Sequence, residues 1–336
     1  MVTITDISKA CGVSRATVSK ALNGASDVSP ETTKRIREAA AKLGYLPNAA
    51  ARALKMGRSY NIGVLFSDET GGGISHEYFS LILESVKAEA ERLGYDITFI
   101  SKDLGQLSMD YYEHAKYRSC DGVVIASADF EDPAIRRLAT SEIPTVTLDY
   151  SFDSRTSILS DNVQGMDKLV RFVYEKGHRK IAFIHGEITS VTQKRLASFR
   201  KVTSELGLRI PQEFIREARY HDPRSSGLAT RALLELPERP TCILYPDDLS
   251  FLGGMSELEK HGLSVPKDMC VAGYDGIPLS QVLRPRLTTY RQGATEMGTE
   301  AARLLVGQIE RPETWIPEQV TVKGELLTGD TVTEIE

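Results

Sequence analysis

Aspartates recur just past short apolar runs. Asp68 follows Ile62-Gly63-Val64-Leu65-Phe66, Asp149 follows Thr145-Val146-Thr147-Leu148, Asp247 and Asp248 follow Ile243-Leu244-Tyr245, and Asp275 closes Val271-Ala272-Gly273-Tyr274. Asp222, Arg195 and the aromatic pair Tyr78 and Phe79 fall in comparable stretches. Carboxylates accept paired hydroxyls, a guanidinium donates, and aromatic faces cover C–H surfaces, so the set suits a polyol such as a sugar. Paired carboxylates could also flank a bond to be hydrolysed. No nucleophile elbow, Walker loop, zinc triad or dinucleotide fingerprint accompanies them: Gly71-Gly72-Gly73 reads as a turn, and His76 has no HExxH companion. A binding site rather than an enzyme is expected, with no cofactor and no metal.

A second set of reactive groups is cationic. The first 60 residues hold ten Lys and Arg against four Asp and Glu, a balance of +6; the whole chain carries -5, so the remainder carries -11. A basic head on an acidic body fits phosphate binding by the head.

The elements that must position these groups are readable. Thr5 is expected to cap a first helix with Ile4, Ile7, Ala10 and Cys11 on one face, ended by Gly12. Ser14 caps a second helix that turns Val18, Ala21 and Leu22 inward, leaving Arg15, Ala16, Thr17 and Lys20 outward. Gly12-Val13-Ser14 allows only a tight helix-turn-helix corner. Ser29-Pro30 opens a third helix carrying Ile36, Ala39, Ala40 and Leu43, and Gly44 stops it. Such a head is a tool for reading duplex DNA.

From Ser59 the texture changes. Strand-like runs at residues 60–66, 94–100, 122–125, 144–148, 180–184, 241–245 and 269–273 alternate with helical periodicity, which implies parallel sheets covered on both faces. A second series begins at Asp161, so two sheets are expected, with ligands at the carboxyl ends of their strands. No apolar run approaches the ~18 residues needed to cross a bilayer, and no long apolar stretch opens the chain. A cytoplasmic protein with no membrane partner is expected. Cys11, Cys120, Cys242 and Cys270 lie far apart in sequence in apolar contexts and read as buried free thiols.

The run from Thr3 to Gly24, with Gly44-Tyr45-Leu46-Pro47-Asn48 and Arg52-Ala53-Leu54 at the proper separation, resembles the N-terminal region of the LacI/GalR family of bacterial transcriptional regulators. Gly177-His178-Arg179-Lys180-Ile181-Ala182-Phe183-Ile184-His185-Gly186, then Ala272-Gly273-Tyr274-Asp275 and Leu287-Thr288-Thr289-Tyr290-Arg291-Gln292, resemble later parts of the same family. The resemblance implies a multidomain protein: a small all-α helix-turn-helix DNA-binding domain at 1–46, a hinge helix and linker at 47–59, an effector-binding and dimerisation domain of two α/β lobes, like periplasmic sugar-binding proteins, at 60–330, and a polar tail at 331–336. It further implies that Ser14, Arg15, Ala16, Thr17, Lys20 and Asn23 meet the major groove, while Asn48, Ala51, Arg52 and Leu54 belong to a hinge entering the minor groove. Leu54 would be the apolar wedge between central base steps. Lys20 stands where many family members carry arginine, and it lacks the planar fork.

By family position Arg195 would clamp the effector, with Asp149, Asp247 and Asp275 beside it; Asp68, Tyr78, Phe79 and Asp222 complete the candidate set. Asp248 reads more as a helix cap than as a contact. The function so implied is that of a homodimeric repressor on a palindromic double-stranded operator, released by a mono- or oligosaccharide of carbohydrate metabolism. A purine-responsive corepressed regulator and a solute-binding module without a transcriptional role are the competing readings. The C-terminal segment holds no leucine heptad that would join dimers into a tetramer, and Trp315 with Pro317 reads as a segment returning to pack the body.

Overall fold

The computed structural model describes residues 2–22, 24–25, 27–46, 53, 57–67 and 73–335. Asn23, Asn48, Ala51, Arg52, Leu54 and Asp68 lie outside the described residues. By Cα proximity the chain divides into two compact units, residues 1–59 and 60–336.

The first unit contains helices α1 (Ile4–Cys11), α2 (Arg15–Leu22) and α3 (Pro30–Leu43). Its cap is Thr3, not Thr5. Three residues on, the Asp6 carboxylate accepts from the Thr3 amide at 2.9 Å and from its hydroxyl at 2.8 Å. That reciprocal arrangement starts the helix earlier and leaves Thr5 inside it. Ser14 caps α2 by accepting from the Thr17 amide at 3.0 Å, and Ser29 caps α3 from Thr32 at 3.2 Å with Pro30 in the first turn. Gly12 (φ 65°) and Gly44 (φ 68°) end α1 and α3 in the left-handed region that disfavours a side chain. Ile7, Val18, Ala21, Ile36 and Ala40 form the small core.

In the second unit, strands β1 (Asn61–Phe66), β2 (Asp96–Ile100), β3 (Gly122–Ser127), β4 (Thr145–Leu148), β5 (Thr156–Ser160) and β11 (Gln319–Val322) make one parallel sheet in the order β11-β5-β4-β3-β1-β2. β6 (Ile181–His185), β7 (Ile215–Glu217), β8 (Cys242–Leu244), β9 (Cys270–Asp275), β10 (Thr288–Arg291) and β12 (Glu325–Leu327) make the other, in the order β12-β10-β9-β8-β6-β7 with only β12 antiparallel. Each sheet has an apolar cluster on both faces. The chain crosses between lobes three times, at residues 160–162, 291–294 and 322–325. These crossings bring helices α7 (Asn162–Glu175) to the second lobe and α12 (Ala294–Glu310) back to the first. There α12 packs on α4 (Glu77–Arg92) so closely that a Cβ on Gly298 would stand 2.3 Å from the Ile82 carbonyl oxygen.

Two expectations change here. The segment from Thr331 is no free tail: Thr331 and Val332 are buried, Val332 joins the second lobe's core, and the Thr331 hydroxyl accepts from the Thr288 amide at 2.9 Å. Its apolar residues and the bond its Thr331 carbonyl accepts from the Val271 amide at 3.0 Å outweigh its polar composition. All four cysteines are free thiols, but only Cys242 and Cys270, register partners on adjacent strands, are buried; Cys11 and Cys120 are half-buried. Trp315 does pack the first lobe, donating through Nε1 to the Thr156 hydroxyl at 3.2 Å. Among the described residues no helix is long and apolar enough to cross a membrane.

Glu257, on helix α10 (Ser250–Lys260), is buried yet charged; it accepts from Arg231 Nε at 2.7 Å and Lys260 Nζ at 3.1 Å. Arg231 foremost, with Lys260, holds its carboxyl down to about 2 against an ordinary 4.5. A depressed folded pKa stabilises fully above the ordinary value and is lost as pH falls from 4.5 toward 2. Its cationic partners, Arg231 at 46% and Lys260 at 61% exposed, face water, so solvent screening limits the effect. Glu257→Gln is expected to cost about 1–2 kcal/mol in urea unfolding at pH 7. The gap between wild type and variant should narrow between pH 5 and pH 3; a gap constant across that range would contradict the assignment.

Candidate functional site

On the head, α2 presents Ser14, Arg15, Ala16 and Lys20 to solvent, with Thr17 half-buried, because Val18 and Ala21 on the opposite face are fully buried against α1 and α3. Exposed donors on the second helix of a helix-turn-helix are placed to meet base edges. Lys20 is already engaged, ion-paired with exposed Asp27, whose carboxyl that lysine holds below the ordinary range. Phosphate or base contact must displace that partner. Asp27→Asn is therefore expected to tighten DNA binding about 2- to 10-fold at low salt and to steepen its salt dependence. Unchanged affinity and slope in a salt series would exclude Lys20 from the interface.

In the body, the strand-end carboxylates of both lobes meet across the cleft. Asp149, just past β4, adopts a left-handed φ of 55° that directs its carboxylate to the Ser160 amide at 2.7 Å and hydroxyl at 3.2 Å. Its carbonyl oxygen accepts from Ser190 Oγ of the second lobe at 2.8 Å, a bond between lobes. Burial raises its pKa, a cost the Ser160 donors reduce.

Arg195 lies on helix α8 (Ser190–Glu205) and is 3% exposed. Nε donates to Asn162 Oδ1 at 2.7 Å, Nη1 donates to the Pro246 carbonyl at 2.9 Å, and Cζ stands 3.6 Å from the Tyr274 ring centroid. Among the described residues no carboxylate forms an ion pair with it. Its charge is steadied by carbonyl dipoles and an aromatic face, so the guanidinium retains donor capacity.

Asp247 and Asp275 differ sharply in setting. Asp247 accepts from the amides of His221 (2.9 Å), Leu249 (3.0 Å) and Ser250 (2.7 Å) and from Ser250 Oγ (2.7 Å). Burial opposes its charge, but His221 and these donors hold its pKa below the ordinary range. Asp275, with φ 98° at the end of β9, receives one bond, from Gln292 Nε2 at 2.7 Å; burial, with Asp247 adding, pushes its pKa up despite Arg195 and His221. One firmly ionised acid and one poised acid thus share the cleft.

Other placements depart from expectation. Asp247, not Asp248, performs the capping at α10; Asp248 accepts from Thr289 Oγ1 at 2.6 Å and the Ile277 amide at 2.9 Å, tying three strand ends of the second lobe together. Asp222 caps helix α9 (Pro223–Leu234), receiving the Arg224 and Ser225 amides at 2.9 and 3.2 Å. Its carboxylate serves as the cap of that helix. Tyr78 is buried with its hydroxyl 3.6 Å from Met297 sulfur, while Phe79 packs edge-on to Phe66 at 5.0 Å and to His76 at 5.6 Å. A cavity of about 760 Å³ opens beside the cluster on the crossover side, lined by Tyr78, Asp275, Gln292 and Lys323 among others.

Asn162, Tyr220, His221, Tyr274 and His76 enter the cleft without a strong sequence signal. Tyr220 shares a 2.8 Å hydrogen bond with Thr192, and His76 and His221 meet from opposite lobes with ring centroids 3.5 Å apart.

Residues 3–48 match the family described as bacterial regulatory proteins, lacI family, and residues 170–332 match the periplasmic binding protein-like domain. The probable HTH-type transcriptional repressor ExuR of Bacillus subtilis (strain 168) is 32% identical over 336 residues, covering 99% of this chain and 98% of its own. The HTH-type transcriptional repressor PurR of Mannheimia succiniciproducens is 31% identical over 92% of each chain. Among solved structures, the Lac repressor dimer bound to operator and the anti-inducer ONPF superposes with a TM-score of 0.83 at 26% identity over 99% of each chain. The transcriptional regulator CelR-cellobiose complex gives 0.73 at 25% identity, over 98% of this chain and 100% of that one. With a matching head, a matching body and a relative above 30% identity along its length, the chain belongs to the lacI family of bacterial regulatory proteins.

Proposed function

We propose that the protein is a homodimeric, sequence-specific transcriptional repressor, not an enzyme, and that a sugar-class effector seated between the lobes sets its operator affinity. The observation that carries this reading is the joining of two devices in one chain: an exposed recognition helix, and a cleft where Asp149 of one lobe faces Arg195, Asp247 and Asp275 of the other. Hydroxyl groups satisfy both a donor-rich guanidinium and acceptor-only carboxylates, as a polyol requires. An effector acts only through a difference in affinity for two lobe arrangements, and residues contributed by both lobes provide that difference. The relatives support repression: ExuR and PurR are named repressors, and the Lac repressor dimer is seen on operator.

The test is operator retardation with the full-length chain across a panel of neutral sugars, sugar acids and purines. Release of a near-palindromic site by one sugar supports the proposal. Tightening by a purine would establish the corepressed reading instead. Sugar binding with no preference for any upstream sequence would leave a solute-binding module.

A further inference from the structure

His76 immediately precedes α4 of the first lobe, and His221 follows β7 of the second. One ligand-capable atom from each, and one from the Asp275 carboxylate, all lie within 4.8 Å of one another. Two imidazoles and a carboxylate form a donor set suited to a divalent first-row transition ion, and three protein ligands leave positions open to water. We propose that His76, His221 and Asp275 bind such a cation, of the zinc class, and that the ion fastens the two lobes across the cleft.

The surroundings are those of a built site. His221 Nδ1 stands 3.5 Å from Asp247 Oδ1, and Asp247 is itself fixed by three amides and a hydroxyl. A carboxylate behind an imidazole sets the ring's orientation, as the outer partners of metal-bound histidines do. Asp275 Oδ1 is held by Gln292, which leaves Oδ2 for coordination. Aromatic packing would account for the ring pair alone; it does not account for an anchored carboxylate behind one ring and a third donor beside both. Atoms bound to zinc at about 2.0–2.1 Å lie about 3–4 Å apart, so a contraction of roughly an ångström completes the cage. Imidazole donors select against magnesium and calcium. The three residues are separated by 145 and 54 positions, which is why no motif announces them.

The test uses the full-length chain stripped with EDTA, titrated with ZnCl2 by calorimetry and with CoCl2 by visible absorption. Expected are one ion per chain, cobalt d–d bands without a thiolate charge-transfer band, and a thermal midpoint raised by zinc. His76→Gln and His221→Gln should each weaken binding by about 10-fold or more and lose most of the thermal gain. Absence of saturable binding overturns the proposal, as does wild-type affinity in both variants, or a thiolate band that assigns the ion to cysteine. A glutamine in the buried ring pair can itself lower stability, so the wild-type cobalt spectrum is also decisive alone. The spectrum of aqueous cobalt in the presence of excess protein sinks the proposal whatever the variants do.

Discussion

Arg195→Ala is expected to abolish the effector response while leaving operator binding at wild-type strength. The guanidinium is buried between lobes with two fixed protein acceptors, so it reaches any ligand pre-oriented and already desolvated. Charge-assisted bonds in such a setting are about twice as strong as neutral ones. Their loss should weaken effector binding by about 100- to 1,000-fold, or roughly 3–4 kcal/mol. Operator binding should survive because the head has its own core, built from Ile7, Val18, Ala21, Ile36 and Ala40. The truncation also strips donors from Asn162 Oδ1 and the Pro246 carbonyl, so about 1–3 kcal/mol of body stability is expected to go with it. Thermal shift separates the two effects. Effector at 100 times its Kd stabilises the wild type by about 2.7 kcal/mol, and the variant should show a lower baseline and no such gain. Arg195→Lys keeps the charge but loses the planar fork, and should fall between. An unaltered dose-response in Arg195→Ala would remove the cleft from the regulatory scheme.

How far the cleft is visible in sequence depends on the range of the interactions that build it. Central strands such as β1, β3 and β9 are short apolar runs between helical patterns, and their burial on both faces is written into their composition. The edge and returning strands β7, β11 and β12 are short and partly polar, so nothing local marks them; they form because a sheet edge is already there to pair with. Caps show the same limit. Ser14 and Ser29 lie directly before their helices, whereas the choice between Thr3 and Thr5 turned on a carboxylate three residues downstream. Among the acids, Asp222, Asp247 and Asp248 look alike as letters. Their uses diverge through partners 2 to 41 residues away: amides for Asp222, amides and His221 for Asp247, and Thr289 for Asp248. His76 and His221 are the extreme case, since neither residue has meaning until two lobes bring them into contact.

Arg15→Ala should be the most damaging single substitution in the head. Arg15 opens α2, is exposed, and among the described residues makes no ion pair, so its removal should leave the thermal midpoint of the head unchanged. Its value lies in the DNA complex. An arginine bridging guanine O6 and N7 contributes about 1–3 kcal/mol of discrimination. In a two-fold dimer each substitution acts twice, giving about 2–6 kcal/mol, or an operator affinity lowered by about 30-fold to about 20,000-fold. The same variant should lose far less on random duplex, because phosphate attraction there is shared among the remaining cations of the head. The ratio of specific to non-specific binding, measured at two salt concentrations, is therefore the informative quantity. An equal loss on both duplexes would make Arg15 a backbone anchor, and sequence reading would then fall to Ala16 and to Lys20, which must first part from Asp27.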